Sequence, residues 1–508
     1  MAAGWGVLIP YVLFVLWALG PRLDSVLSFG GDDGFELCKA ALLARLPDLG
    51  PRMWNDQPWL HTLLNAMLFR LVGEHAALPR MFSLISLGAL LGAMIYLSRR
   101  SLNFAGGLAL GCFLLAGEGM PNWSVAAMLE LPAISWAMVA AALAATPPGV
   151  VVRWRLVSSG TLLALACHVK FTALLVLPAL LVMVWVQTGR RHFASALVWA
   201  ALAFVTTFSV LVKLSPSFDL GQLLTPHLPA SSALVAAEQA QFRPQWGWVL
   251  GDPAPLMAAL FAWALPAFKR CKATRTFTLV LLGTAIGIAL CHRPWWRYYL
   301  IHLQVPLAML GAVGVTGLSR QLGEIWRTRS PACHPPASGL PTTSSNRHPV
   351  PVAIMGAAAV LALWCGFALP RLMSALKEMS SYPTGQSSQL VSVLRRYQDR
   401  IRWCYTDLRD VAFHSGVLIP PELIVVSRKR FWHGDLDERR LWNWVRLYAP
   451  EAIVVTETYR ERQPACASWL KQGYVLCAKE HGQECWLASS LTPDPLPQTE
   501  GRLERFGL

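Results

Sequence analysis

Charge is what this chain has least of. Only 14% of its 508 residues are Asp, Glu, Lys or Arg, against roughly 25% in a typical soluble protein, and the long hydrophobic stretches are nearly free of acid. No Walker loop and no Gly-x-Gly-x-x-Gly run occurs, so the sequence offers no nucleotide phosphate cradle. It has no Cys-x-x-Cys pair and no His/Cys cluster with zinc spacing either, which excludes the common structural zinc sites. No internal inverted repeat is visible. Met1 to Trp5 carries no base, so the first apolar segment does not read as a cleaved signal peptide.

What is present is apolar. Hydrophobic residues make up 54% of the chain and the mean hydropathy is +0.42, the composition of an integral membrane protein. The formal net charge of +15 would suggest nucleic acid in a soluble protein, but here the bases punctuate the apolar runs, so no nucleic-acid partner is expected. The 22 Trp suit interfacial anchoring in a lipid bilayer.

Runs long enough to cross about 30 Å of hydrocarbon lie near 4–20, 80–97, 102–117, 124–145, 156–174, 175–187, 194–212, 249–267, 277–291, 299–318 and 351–369, about eleven spans. Alternate connections carry Arg99-Arg100, Arg153 and Arg155, Arg190-Arg191, Lys269 to Arg275, and Arg320 to Arg347, which marks them as cytoplasmic. The N-terminus is then inside and everything after Leu369 outside.

The expected organisation is a transmembrane domain over 1–370 followed by a small extracytoplasmic α/β domain over 371–508. The first part has outer loops at 21–79 and 213–248 and a flexible cytoplasmic linker, rich in Pro, Ser and Thr, within 319–350. In the second, β-branched runs at 401–405, 423–427, 452–456, 474–478 and 485–488 alternate with helical patterns at 436–448 and 465–472. Its Cys404, Cys466, Cys477 and Cys485 would face an oxidising compartment, where one or two disulfides could form.

The polar residues that interrupt the apolar pattern fall mostly on the outer side. Asp32 and Asp33 follow the first span. Asp56, Gln57 and His61 lie in the same outer loop, ahead of an amphipathic stretch at 63–72. Glu130 is placed inside the fourth span and Lys170 towards the outer end of the fifth, while His292, Arg293 and Arg297 head the tenth, with His302 one turn deeper. Each also has a plainer reading: a solvated Asp-Asp-Gly turn, a neutral acid held for packing, a snorkelling Lys, interfacial anchors among Trp and Tyr. Together they describe a wet cavity of acids and bases at the outer membrane surface. A carboxylate there can act as general base, and fixed cations can stabilise charge on a phosphate leaving group. Nucleotides are scarce outside the cytoplasm, so a lipid-borne donor fits.

The same residues carry a resemblance. Asp32-Asp33-Gly34-Phe35-Glu36-Leu37-Cys38-Lys39-Ala40 resembles the first-loop Asp-Glu motif of the GT-C glycosyltransferases, in the protein O-mannosyltransferase and aminoarabinose transferase group (glycosyltransferase family 39 and relatives). Asp56 to His61 is similar to that group's acidic-Lys/Gln-Pro-Pro-Leu segment, and Leu78 to Ser83 to the start of its next span. Met128-Leu129-Glu130, His168-Val169-Lys170 and His292 to Leu307 resemble later motifs, and Tyr405 to Asp407, Gly416 to Leu423 and Ser427 to Arg430 the trailing domain of some bacterial members.

The resemblance implies an inverting transfer of a sugar from a polyprenyl-phosphate donor to a protein, lipid or glycan acceptor at the periplasmic or lumenal face, with the chain in a bacterial inner membrane. Asp32 is then the base, and Asp33, Asp56, Gln57, His61, Glu130 and His292 bind substrate. Gln57 stands where aminoarabinose transferases carry Lys, which moves the donor-phosphate role to Lys170, Arg293 and Arg297; Asp33 replaces a Glu and Trp59 a second Pro. No cofactor is required, although some relatives hold a divalent metal, for which Asp56 and His227 are the candidate ligands. The alternatives are a transporter or flippase for a lipid-linked or small polar solute, and a noncatalytic envelope-assembly protein that would tolerate loss of Asp32.

Overall fold

A chain this hydrophobic must satisfy its backbone hydrogen bonds internally, and in lipid helices do so within each segment. The computed structural model describes residues 2–225, 233–245, 272–329 and 369–491, apart from the single positions 31, 148, 293 and 463. Among them Ala77–Ser98, Phe171–Leu214, Lys272–Cys291 and Arg297–Gln321 are long and apolar enough to cross a membrane. Ile9–Leu19, Leu60–Val72, Phe104–Leu115 and Glu130–Ala144 are shorter apolar helices, and Arg153–Val169 is a further helix of 17 residues. The spans expected at 249–267 and 351–369, and most of the linker expected within 319–350, lie outside the described residues.

The expected sixth and seventh spans are one nominal helix, Leu177–Leu214, broken at Gly189, whose φ of 70° and ψ of 170° are non-helical. A positive φ is cheap only for glycine, so the chain redirects there, just before Arg190-Arg191. The Gln187 carbonyl accepts from Gly149 N–H at 2.7 Å and its side chain from Thr146 N–H at 3.1 Å. Arg99, Arg100, Thr146, Gln187 and Lys272 line a single cavity of about 320 Å³, so connections expected on one side of the membrane meet at one end of the bundle.

The C-terminal region holds four strands, β1 (Cys404–Thr406), β2 (Ala452–Thr456), β3 (Tyr474–Glu480) and β4 (Gln483–Ala488), in the order β1-β2-β4-β3. β1 and β2 are parallel and the other pairs antiparallel. Parallel neighbours need a long crossover, supplied by short helices that end with Glu438–Tyr448. β3 returns to β4 through His481 and Gly482, both at positive φ (50° and 72°), as a two-residue hairpin turn requires. The strand expected at 423–427 is not formed: Pro421–Ile424 is a helical turn started by proline at its first position. The disulfides are not formed either, since Cys404, Cys477 and Cys485 are free; the Cys466 side chain lies outside the description.

The segment expected as the first outer loop and the C-terminal region, far apart in sequence, bury one common apolar core in which Leu42, Trp54, Trp59 and Phe69 pack with Leu390, Trp403, Phe413 and Ile419. Polar contacts seam the join. Arg52 pairs with Glu422 at 2.8 Å, Arg45 donates to the Gly416 carbonyl at 2.8 Å, and Gly385 N–H donates to the Ser25 carbonyl at 2.7 Å. At its tightest point Gly34 faces Asp410: a Cβ there would lie 2.9 Å from the Asp410 backbone nitrogen and nearer still to its carboxylate. Gly34→Ala is therefore expected to lower stability by about 1–3 kcal/mol, the usual range for overpacking. A lower melting temperature and faster proteolytic release of the C-terminal domain check it.

Candidate functional site

The first outer loop enters the helix Asp33–Arg45 with Asp32 at the N-cap position. An Asp there ordinarily accepts a backbone N–H of the first turn, but this side chain makes no capping bond, which leaves it to the cavity beside it. Asp33, a rotation of about 100° further round, points the other way. Its Oδ2 accepts from Arg80 at 2.5 Å and from Phe29 N–H at 3.2 Å, and its Oδ1 from Ala127 N–H at 2.6 Å. Fully buried, Asp33 fastens the loop to the membrane helix that carries Arg80. Asp33, expected to orient substrate, does not line the cavity that Asp32 faces.

One and two turns beyond Asp32 lie Glu36 and Lys39, paired at 2.5 Å. Lys39 also donates to Asn55 at 3.1 Å, and Glu36 receives Thr62 at 3.3 Å and His61 at 3.4 Å. Burial alone would raise the Glu36 pKa, but Lys39 and His61 outweigh it and hold the carboxyl at about 2. His61 is wholly buried behind Glu36 and does not line the cavity.

From the membrane side comes Lys170, at the extended residue that ends the helix Arg153–Val169. It pairs with Glu130, and its ammonium lies 4.6 Å from the centre of the Tyr298 ring and 5.6 Å from that of Tyr299. Glu130 is the first residue of the helix Glu130–Ala144 rather than a position inside a span. From the C-terminal domain comes Lys429, 2.7 Å from Asp56.

These pieces enclose a cavity of about 280 Å³, lined by Asp32, Glu36, Lys39, Asp56, Gln57 and Lys170, by Trp296 and Tyr298, and by Ser427 to Lys429. Three Lys–carboxylate pairs wall it. Asp32 has no such partner among the described residues; burial, and next the charge of Glu130, push its pKa up to about 6 against the lowering influence of Lys170 and Lys429. A carboxylate poised near neutrality is suited to take a proton. Phe242 reaches the same place: it packs on Trp296 at 5.0 Å and on Trp432 at 5.6 Å, and its carbonyl receives Trp295 N–H at 2.9 Å.

Of the residues picked out in the sequence, Asp32, Asp56, Gln57 and Lys170 line the cavity, with Glu130 directly behind Lys170. His292 and Arg297 do not: the first lies against Tyr299 at 5.6 Å, and the second is exposed and paired with Glu118. Arg293 and His227 lie outside the described residues. Among the described residues no group of three or more His, Cys, Asp or Glu could hold a metal, and Asp56 is engaged by Lys429. Sequence reasoning passed over Glu36 and Lys39 as site residues, although positions 32, 36 and 39 follow the i, i+4, i+7 spacing of one helix face. Arg428 and Lys429 lie in the Ser427 to Arg430 run that carries the resemblance of the trailing domain, but nothing in that run placed them at the site, which they join through the tertiary fold.

The chain is similar in fold to the crystal structure of ArnT from Cupriavidus metallidurans bound to undecaprenyl phosphate, with a TM-score of 0.59 and 16% identity over 97% of this chain and 100% of that one. The apo-state structure of the same protein gives 0.58 and 17% over 97% and 99%. No protein-family model and no curated protein sequence matches. Identity at this level speaks for a common fold alone.

Proposed function

We propose that the protein is an inverting glycosyltransferase of the GT-C type, moving a sugar from a polyprenyl-phosphate donor to an acceptor at the outer face of the membrane. The observation that carries this reading is the state of Asp32: a carboxylate without an ion partner, held in a cavity whose other acids are matched by lysines. Asp32 takes the proton of an acceptor hydroxyl or amine. The freed lone pair attacks the anomeric carbon opposite the phosphate, the sugar–phosphate bond breaks, and polyprenyl phosphate leaves with the bonding electrons. Lys170, beside Asp32, offsets the charge that grows on the leaving phosphate.

Two further features support a lipid-linked donor. ArnT, which shares this fold, was crystallised with undecaprenyl phosphate. An apolar groove of about 570 Å³, lined by Leu163, Cys167, Phe171, Leu177 and Phe204, includes the residue that follows Lys170, so a prenyl tail lying in it places its phosphate near that ammonium. The polar groups gather at one end of the bundle, whereas a transporter tends to hold its charges near the midplane between repeats. The N-terminus is cytoplasmic and the C-terminal domain periplasmic in this scheme.

The test is mass spectrometry of envelope lipids, glycans and glycoproteins from a deletion strain, repeated after complementation. Loss of a single hexose, pentose or aminosugar from one acceptor is the expected result and identifies donor and acceptor together. A strain altered only in small-solute uptake would contradict the proposal.

A further inference from the structure

Four cationic side chains line the cavity: Lys39, Lys170, Arg428 and Lys429. Lys39 is matched by Glu36, Lys170 by Glu130 and Lys429 by Asp56. Arg428 is different. Exposed where the three lysines are buried, its guanidinium makes no hydrogen bond and no ion pair among the described residues and lies over the face of Phe242, 5.5 Å from the ring centre. The residue before it, Ser427, has a buried hydroxyl with no hydrogen-bond partner. A solvent-facing guanidinium with no carboxylate on it and a buried, unsatisfied hydroxyl on adjacent residues of one cavity wall describe a place for an anion, which would give the hydroxyl the acceptor it lacks.

The setting favours Arg over a freely moving charge. Phe242, under the guanidinium, is itself wedged between Trp296 and Trp432. A guanidinium stacked on a held ring loses little further freedom on binding and presents paired donors that match two oxygens of a phosphate. The two unmatched charges of the cavity are therefore complementary: Asp32 for a proton, Arg428 for an anion.

We propose that Ser427 and Arg428 form a phosphate-binding element, contributed by the C-terminal domain, for the phosphate of the lipid-linked donor. The inference rests on the glycosyltransferase reading and deepens it: the trailing domain becomes part of the donor site, which is complete only when that domain is docked.

The experiment uses the full chain in detergent micelles, with undecaprenyl phosphate and inorganic phosphate as separate probes and intrinsic tryptophan fluorescence as the readout. Arg428→Gln is expected to weaken binding of undecaprenyl phosphate about 10- to 100-fold, the scale of a lost charge-assisted interaction. Arg428→Lys falls between, Ser427→Ala weakens binding a few-fold, and an unchanged melting temperature shows that folding is kept. If Arg428→Gln binds like wild type while wild type transfers sugar, the phosphate element is overturned and the enzyme reading stands. If wild type does not bind the lipid at all, both fall. Inorganic phosphate bound as tightly as the lipid would overturn the assignment to the donor in favour of a free-anion site.

Discussion

Replacing Asp32 with Asn is expected to lower sugar transfer by about 10²- to 10⁴-fold, the usual contribution of a general base, while making the protein more stable. Both effects have one cause. Asp32 is raised to about 6 by burial and by Glu130, so the folded protein holds on to a proton that the unfolded chain releases near the ordinary value of 3.8. Relative stability from this group is fully present below the unfolded value and is lost as pH rises through about 6. At pH 7 the wild type therefore keeps an ionised, unpartnered carboxylate that Asn does not have, and removing it should stabilise by about 3 kcal/mol. A melting curve and a transfer assay on the same preparation check the pair of outcomes. A loss of activity together with a loss of stability would point to a structural role instead.

The neighbouring residue predicts the opposite sign. Arg80→Ala or Asp33→Ala should cost about 3–5 kcal/mol, the penalty for leaving one member of a buried ion pair uncompensated. Both side chains are fully buried. Arg80 also donates to the carbonyls of Leu23 and Val26 at 2.6 and 2.8 Å and to that of Leu27 at 3.1 Å, and its guanidinium lies 4.8 Å from the centre of the Phe29 ring. Its removal strands three backbone acceptors as well as a carboxylate, so the loop that positions Asp32 should lose its shape. Thermal unfolding in detergent measures the effect. Two adjacent aspartates with opposite stability effects would be hard to explain if Asp-Asp-Gly were merely a solvated turn.

The helical membrane architecture was legible because the bilayer writes it into composition and run length. The gathering of Asp32, Asp56, Gln57 and Lys170 was legible because polar residues are costly within apolar runs, so their positions betray a shared cavity. Adjacent residues were harder. Sequence treated Asp32 and Asp33 as a pair, but helix geometry turns them to opposite sides, and only the packing shows which one meets Arg80. His292 and Arg297 looked like site residues by sign and position, whereas the turn at Arg297–Leu300 directs Tyr298 to the cavity and leaves Arg297 to Glu118. The strand expected at 423–427 failed because β-branched residues alone carry a weak preference that a preceding Pro-Pro overrides. The pairing of Lys429 with Asp56 was out of reach, since it spans 373 positions of sequence.

A wet cavity with one poised carboxylate makes a direct kinetic statement. Single-turnover transfer should rise about tenfold per pH unit below about 6 and level off above it, and the residual activity of Asp32→Asn should show no such step. A wild-type rate independent of pH between about 5 and 8, or the same step surviving in Asp32→Asn, would mean that some other group takes the proton.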